Sequence, residues 1–238
     1  MRFAVLSDIH GNLHALQAVL ADIDAVAPDS TYCLGDLVGY GAFPNEVIAL
    51  IHRRQVPTIM GNYDDGVGFD KDECGCAYTE DEMRRLGDLS LRWTQAHTTP
   101  ENKAILRAFL PEIRFEAAGH RVLLVHGSPR RINEYVYADR PLSSLERIAA
   151  SADADVLVFG HTHLPYVQTV GGVLLVNDGS VGKPKDGDPR AAYALVDVGT
   201  TVSAEIRRVE YDVAAAAAAV RASGLPVQFA EMLETARG

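Results

Sequence analysis

The sequence predicts an α/β fold, and two observations carry that expectation. Short β-branched runs alternate with stretches whose apolar residues recur at helical spacing. Each early strand also runs into a glycine-containing polar motif before the next helix begins: SDIHG, then GDLVGYG, then GNYDDG. Strand, polar motif and helix, repeated, is the signature of parallel α/β architecture. A chain of 238 residues suits a single domain, 1–238, and should bury roughly 70–75% of its unfolded surface without staples.

The first strand spans Arg2 to Ser7. Leu13, Leu16, Leu20 and Ile23 then mark a helix with Asn12 as its N-cap. A strand from Thr31 to Leu34 precedes a helix opening at Pro44, which suits the first helical position. A third strand is expected over Val56–Met60. Residues 66–111 differ in character. Between Asp64 and Arg92 lie nine carboxylates and four basic side chains. Thr79 and Glu82 form a capping box for a helix carrying Met83, Leu86, Leu89 and Trp93. A second helix starts at Thr99-Pro100, with Ile105, Leu106, Phe109 and Leu110 inward. This segment reads as a helical insertion or cap beside the core. Strands follow at Ile113–Ala117, Arg121–Val125 and Val156–Phe159, with a helix over Leu142–Ala150 between the last two. Two hairpin-like pairs come next, Tyr166–Val170 with Val173–Val176 and Ala191–Val198 with Val202–Val209. An alanine-rich helix capped by Asp212 and a last helical stretch, Gln228–Ala236, complete the chain.

Composition narrows the function. Lys plus Arg is 22 against 32 for Asp plus Glu, a net charge of −10, which argues against a general grip on nucleic-acid backbone. Three cysteines do not make a disulfide framework and suit a reducing compartment. No apolar run approaches the ~18–20 residues that span a bilayer, and no signal peptide is visible, so the reading is cytoplasmic with no membrane partner.

Five polar clusters follow five of the expected strands: Asp8 with His10, Asp36, Asn62, His126, and His161 with His163. Strand C-termini converge on one crevice in α/β sheets, so seven N and O donors would meet there. That donor set suits Mn, Fe, Zn, Co or Ni. Seven ligands exceed the three or so protein ligands of one catalytic ion, and two divalent ions sharing a carboxylate fit the count better. Flanking glycines, Gly61 and Gly160 among them, let the backbone turn sharply and approach a ligand closely.

Asp8-x-His10, Gly35-Asp36, Gly61-Asn62, Val125-His126-Gly127 and Gly160-His161-Thr162-His163, in that order, resemble the calcineurin-like metallophosphoesterase superfamily. The opening SDIHGNLHALQAVL with GDLVGYG is similar to its small prokaryotic branch. The resemblance implies a two-sheet β-sandwich flanked by helices. It places Asp8, His10 and His163 on one metal, Asn62, His126 and His161 on the other, and Asp36 between them. It implies a binuclear centre, with manganese first among the candidate metals, and in-line attack on phosphorus by a hydroxide bridging the ions.

One motif departs from the family pattern. The usual Gly-Asn-His-Asp or Gly-Asn-His-Glu reads Gly61-Asn62-Tyr63-Asp64 here, and a phenol with a pKa near ~10 is a poorer proton donor than an imidazole near ~6.5. Relatives lacking this His tend to act on diesters. The candidate catalytic residues are therefore Asp36, Asn62, Tyr63 and Asp64, with Asp64 expected to orient a neighbour such as a metal-bound histidine. Asn12, Arg130 and Arg131 are the candidate substrate contacts. Lys183 and Lys185 are weaker candidates, and Trp93 reads as core. Cys74 and Cys76 read as reduced structural thiols whose acidic surroundings disfavour thiolate.

The expectation is a metal-dependent phosphodiesterase acting on a small phosphodiester or nucleotide, since an acidic insertion repels long polyanions. The alternatives are a phosphomonoesterase or nucleotide pyrophosphohydrolase, a non-catalytic scaffold of the same fold, and a regulator acting through Cys74 and Cys76. No oligomeric state follows from the sequence.

Overall fold

The computed structural model describes residues 1–76 and 81–238. In chain order the elements are β1 (Arg2–Leu6), α1 (Leu13–Val26), β2 (Ser30–Cys33), α2 (Pro44–Arg53), α3 (Asn62–Gly68), α4 (Asp81–His97), α5 (Pro100–Arg107), β3 (Glu112–Ala117), β4 (His120–Val125), α6 (Leu142–Ala152), β5 (Val156–Phe159), β6 (Tyr166–Val170), β7 (Val173–Asn177), β8 (Ala191–Val198), β9 (Val202–Val209), α7 (Val213–Ala222) and α8 (Val227–Thr235).

Alternation along β1 sets the layers. Phe3 and Val5 face one side, where they meet Val122, Leu124, Val156 and Val158 of a second sheet. Ala4 and Leu6 face the other side, against Leu16, Val19 and Ile48 of the first two helices. The period-2 geometry of a strand makes both faces of β1 apolar when both are covered. The second sheet repeats the logic, with Leu123, Leu157 and Leu175 turned toward Leu145 and Ile148 of α6. The result is helix, sheet, sheet, helix, the sandwich that the family resemblance implies.

Neither sheet is wholly parallel. The first has the order β2-β1-β8-β9 and the second β3-β4-β5-β7-β6. Parallel pairing joins β1 to β2 and β4 to β5 to β7, while β8, β9, β3 and β6 run antiparallel to their neighbours. The C-terminal ends of the parallel strands and the loops that leave them gather at one edge, and the site lies there.

Local signals explain the helix starts. Asn12, Thr99 and Asp212 each accept a backbone N–H from the first turn of α1, α5 and α7. Pro44 opens α2. The capping role read for Thr79 lies outside the described residues.

Three expectations are corrected. Val56–Met60 is not a strand: Pro57 offers no N–H, and only the isolated bridges Cys33 to Thr58 and Ile59 to Leu110 form. Leu110, expected inward, is 62% exposed, because its carbonyl serves Met60 while its side chain turns to solvent. Leu89 is likewise exposed, while Leu86 packs against Ala217 and Phe229 of α7 and α8. Trp93 joins that same apolar cluster, and its indole N–H donates to the Ser223 carbonyl at 3.2 Å. Among the described residues no helix is long and apolar enough to cross a membrane.

Candidate metal centre

The seven sequence-predicted ligands meet as two buried groups. Asp8, His10 and His163 form one triad of facing donor atoms, and Asp36, His126 and His161 form the other. Asn62, the first residue of α3, joins the second through its Oδ1, 3.0 Å from His126 Nε2. Asp36 Oδ2 stands between the groups, 3.5 Å from His126 Nε2 and 3.8 Å from His10 Nε2.

Backbone hydrogen bonds decide which ring nitrogens face inward. Nδ1 of His10 bonds the Val38 carbonyl at 2.9 Å, Nδ1 of His126 that of Leu34 at 2.8 Å, and Nδ1 of His163 that of Lys183 at 2.5 Å. A carbonyl only accepts, so each Nδ1 carries the hydrogen and each Nε2 faces the cluster, as a lone pair wherever the ring is neutral. His10 and His163 therefore oppose two lone pairs at 3.2 Å. Asn62 repeats the pattern. Its Nδ2 donates to the Cys74 carbonyl at 3.1 Å, which aims its acceptor oxygen at His126.

Two buried atoms confirm what the arrangement lacks. Asp8 Oδ2 accepts from Ser7 Oγ and from the His161 backbone N–H, while among the described residues Oδ1 has no hydrogen-bond partner and lies 3.2 Å from His163 Nε2. His161 Nε2 is equally without one. Buried acceptors pointed at one another are unfavourable in low dielectric unless a cation sits among them. The N and O donors and the two clustered triads fit a pair of divalent ions.

Electrostatics follow from burial. Burial holds His161 and His163 down to about 3, reinforced by the charge of His126 on the first and of Lys185 on the second. His126 goes the other way. Burial opposes its charged form, yet Asp36 and Asp8 outweigh that and lift it to about 10.

The backbone is strained to build the centre. Asp8, His10, Asp36, His161 and His163 all have positive φ, between 48° and 66°. Such conformations cost on the order of 1 kcal/mol each in non-glycine residues and cluster where function requires them. Two glycines make the close approach possible. A Cβ on Gly61 would lie 2.1 Å from Asp36 Oδ1, and one on Gly160 would lie 2.6 Å from Asp8 Oδ2.

Asp64 orients no histidine. Its carboxylate accepts the backbone N–H groups of Asp36 (2.7 Å), Leu37 (2.9 Å) and Gly61 (3.1 Å), which pins the loop after β2 to the start of α3. Burial, then the neighbouring Asp36, raise it to about 7. Tyr63 gives its backbone N–H to Asp36 Oδ1 at 2.7 Å, and its buried ring packs edge-on against His10. Asp178 is buried beside Ser7 at 2.8 Å, and burial together with Asp8 pushes it well above the usual carboxylate range.

A cleft of about 210 Å³ opens over the triads. Tyr63 lines it, as do Cys76 and Met83 of residues 66–111. The expected substrate contacts fare differently. Arg130 and Arg131 are exposed and do not line the cleft, and Arg130 is taken up by Glu134, with Nε at 3.0 Å from Oε2. Asn12 is spent on structure, capping Ala15 and bonding the Gly182 carbonyl and the Tyr211 hydroxyl. Lys183 and Lys185 line the cleft instead. Their signal was weak because a basic residue in a loop looks like any solvated surface lysine. Cys74 and Cys76 are reduced, with sulfurs 3.0 Å apart, and the Cys76 bond lowers the Cys74 pKa, against the acidic-surroundings expectation.

Two sheets whose strand ends converge on paired His/Asp triads define a metallophosphoesterase-like α/β protein. Comparison with known proteins agrees. The model of the calcineurin-like phosphoesterase superfamily domain matches residues 1–201. An uncharacterized protein of Methanocaldococcus jannaschii is 34% identical, covering 97% of this chain and 96% of its own length. Phosphodiesterase YfcE of Escherichia coli is 26% identical over 83% of this chain and 88% of its own. The crystal structure of a metallophosphoesterase from Sphaerobacter thermophilus superposes with a TM-score of 0.79 at 30% identity, covering 99% of this chain and 100% of that one. A hypothetical protein from Pyrococcus horikoshii gives 0.86 at 25% identity, covering 98% and 97%. The chain belongs to the calcineurin-like phosphoesterase superfamily.

Proposed function

We propose that the chain is a divalent-metal phosphodiesterase acting on a small phosphodiester or nucleotide. The observation that carries this reading is the position of Asp36 Oδ2 between two buried triads, the arrangement a pair of ions needs. Asp8, His10 and His163 would hold one ion. Asn62, His126 and His161 would hold the other, with Asp36 shared. Two such ions supply Lewis acidity at the phosphoryl oxygens and a nucleophilic water at neutral pH. Manganese is the first choice among the metals this donor set suits.

The remaining roles belong to the chain itself. Asp64 fixes the Asp36 backbone, so the shared carboxylate stays in place as ligands arrive. Carbonyls at Leu34, Val38 and Lys183 hold three imidazoles in one tautomer. A cleft of about 210 Å³ has room for a small ester. Tyr63 in place of an imidazole removes a good acid for a monoester leaving group and favours diesters. The relative named phosphodiesterase YfcE supports the same reaction class.

The test is hydrolysis of bis(p-nitrophenyl) phosphate beside p-nitrophenyl phosphate, using chelated protein reloaded with Mn²⁺. Turnover of the diester above the monoester, lost in Asp36→Asn, is the expected result. Turnover confined to the monoester would assign a phosphomonoesterase instead.

A further inference from the structure

The chain has a surplus of carboxylates, and its surface cations find them. Arg2 pairs with Asp197, Arg54 with Asp24, Arg130 with Glu134 and Arg190 with Asp188. Lys183 and Lys185 differ. Both line the metal cleft, and among the described residues neither forms an ion pair with a side-chain carboxylate. Lys183 is only 4% exposed. Its Nζ lies 4.8 Å from the centre of the Tyr40 ring and 3.5 Å from the Gly238 oxygen. A lysine amine so buried carries a desolvation cost when charged, which an anion in the cleft would offset.

Its placement is nevertheless fixed. The Lys183 backbone N–H donates to Ser180 Oγ at 2.8 Å, and its carbonyl holds Nδ1 of His163. The residue that sets the tautomer of a cluster-facing histidine therefore also places its amine in the same cleft, where burial pushes its pKa well below the usual lysine range. A plain diester brings one negative charge, which the ions at the two triads already meet. Two further lysines call for further anionic charge, and a lysine ammonium is a compact point charge suited to phosphate.

We propose that Lys183 and Lys185 form an anion subsite for a second phosphate group, so that the substrate is a small phosphodiester carrying a separate phosphate monoester. The link to hydrolysis rests on the phosphodiesterase reading above. The subsite itself is a binding property and is measured separately.

The experiment compares Mn²⁺-loaded protein binding to thymidine 3′,5′-bisphosphate and to thymidine 5′-monophosphate by calorimetry. A charged hydrogen bond to each lysine predicts roughly a hundredfold preference for the bisphosphate, with about tenfold lost in Lys185→Ala and in Lys183→Met. Lys183→Arg keeps much of the preference because it keeps the charge. Mn²⁺ affinity and thermal melting, followed on the same samples, separate loss of the subsite from loss of the metal or the fold. Lys185, half-buried in a loop, gives a readout even where the Lys183 variant does not fold. Equal affinity of the wild type for the two nucleotides, or a preference that survives in Lys185→Ala, overturns the subsite. Turnover of bis(p-nitrophenyl) phosphate in parallel scores the reaction. Preference without turnover keeps the subsite and removes the phosphodiesterase; turnover without preference does the reverse.

Discussion

The Nε2 atoms of His10 and His163 face one another at 3.2 Å, and both rings have already committed Nδ1–H to a backbone carbonyl. Two neutral imidazoles in this relation repel unless a cation lies between them and Asp8. A divalent ion bound there would relieve that contact. Reloading chelated protein with Mn²⁺ at about a hundred times its Kd should add ~2.7 kcal/mol, or roughly 5–10 °C in Tm for a chain of this size. Thermal melts at increasing Mn²⁺ check this, and a Tm indifferent to metal speaks against it.

Asp64 acts through Asp36. Asp64→Ala strands three buried N–H groups, at Asp36, Leu37 and Gly61. The expected loss is about 3 kcal/mol or more in urea unfolding, with weaker Mn²⁺ binding. Asp64→Asn keeps an acceptor oxygen and should lose less. Equal losses in the two variants would show that the side chain fills space rather than accepting hydrogen bonds.

Gly61 leaves no room for a methyl group beside Asp36. Gly61→Ala should move the shared carboxylate and reduce bound metal per chain, as elemental analysis after dialysis would record. Full metal content in that variant would mean that Asp36 is not shared.

Tyr63 packs its ring against Tyr40 at 4.9 Å and against His10 at 5.5 Å. Tyr63→His should lower Tm through lost packing and raise the monoester-to-diester rate ratio at neutral pH. A ratio that stays put removes the missing imidazole as the reason for diester preference.

Glu134 predicts a pH effect away from the metals. Burial works against its charge, but Arg130, Ser128 and Arg140 outweigh it and hold its pKa at about 2. A carboxyl depressed in the folded state contributes stability above its unfolded pKa near ~4.5 and loses it as pH falls toward 2. Glu134→Gln should therefore flatten the fall in stability across that window and leave the slope above pH 6 unchanged. Chemical denaturation at several pH values reads both slopes.

The clustered Asp, Asn and His residues were legible because strand-end motifs carry their own geometry. A short strand followed by Asp-x-His or Gly-His-x-His fixes where the side chains emerge, whatever the rest of the fold does. Asn12, Thr99 and Asp212 were legible for a similar local reason, each standing just before a helical run. What the sequence hid depends on contacts between distant segments. Pro57 lies beside β2 with only bridge pairing, so an apolar run looked like a strand. Arg130 was a plausible phosphate ligand until Glu134, four residues on, occupied it. Lys183 gained its place only when His163, twenty residues earlier in the chain, bonded its carbonyl. The Asp64 role needed the loop after β2 to arrive opposite α3.

The central claim is a pair of divalent ions shared by Asp36 and required for diester cleavage. Elemental analysis and bis(p-nitrophenyl) phosphate turnover on one preparation test it together. The account predicts about two Mn²⁺ per chain with diester turnover, and loss of both in Asp36→Asn that still melts cooperatively. Folded wild-type protein that takes up no Mn²⁺, or that cleaves the diester equally well after chelation, would contradict it.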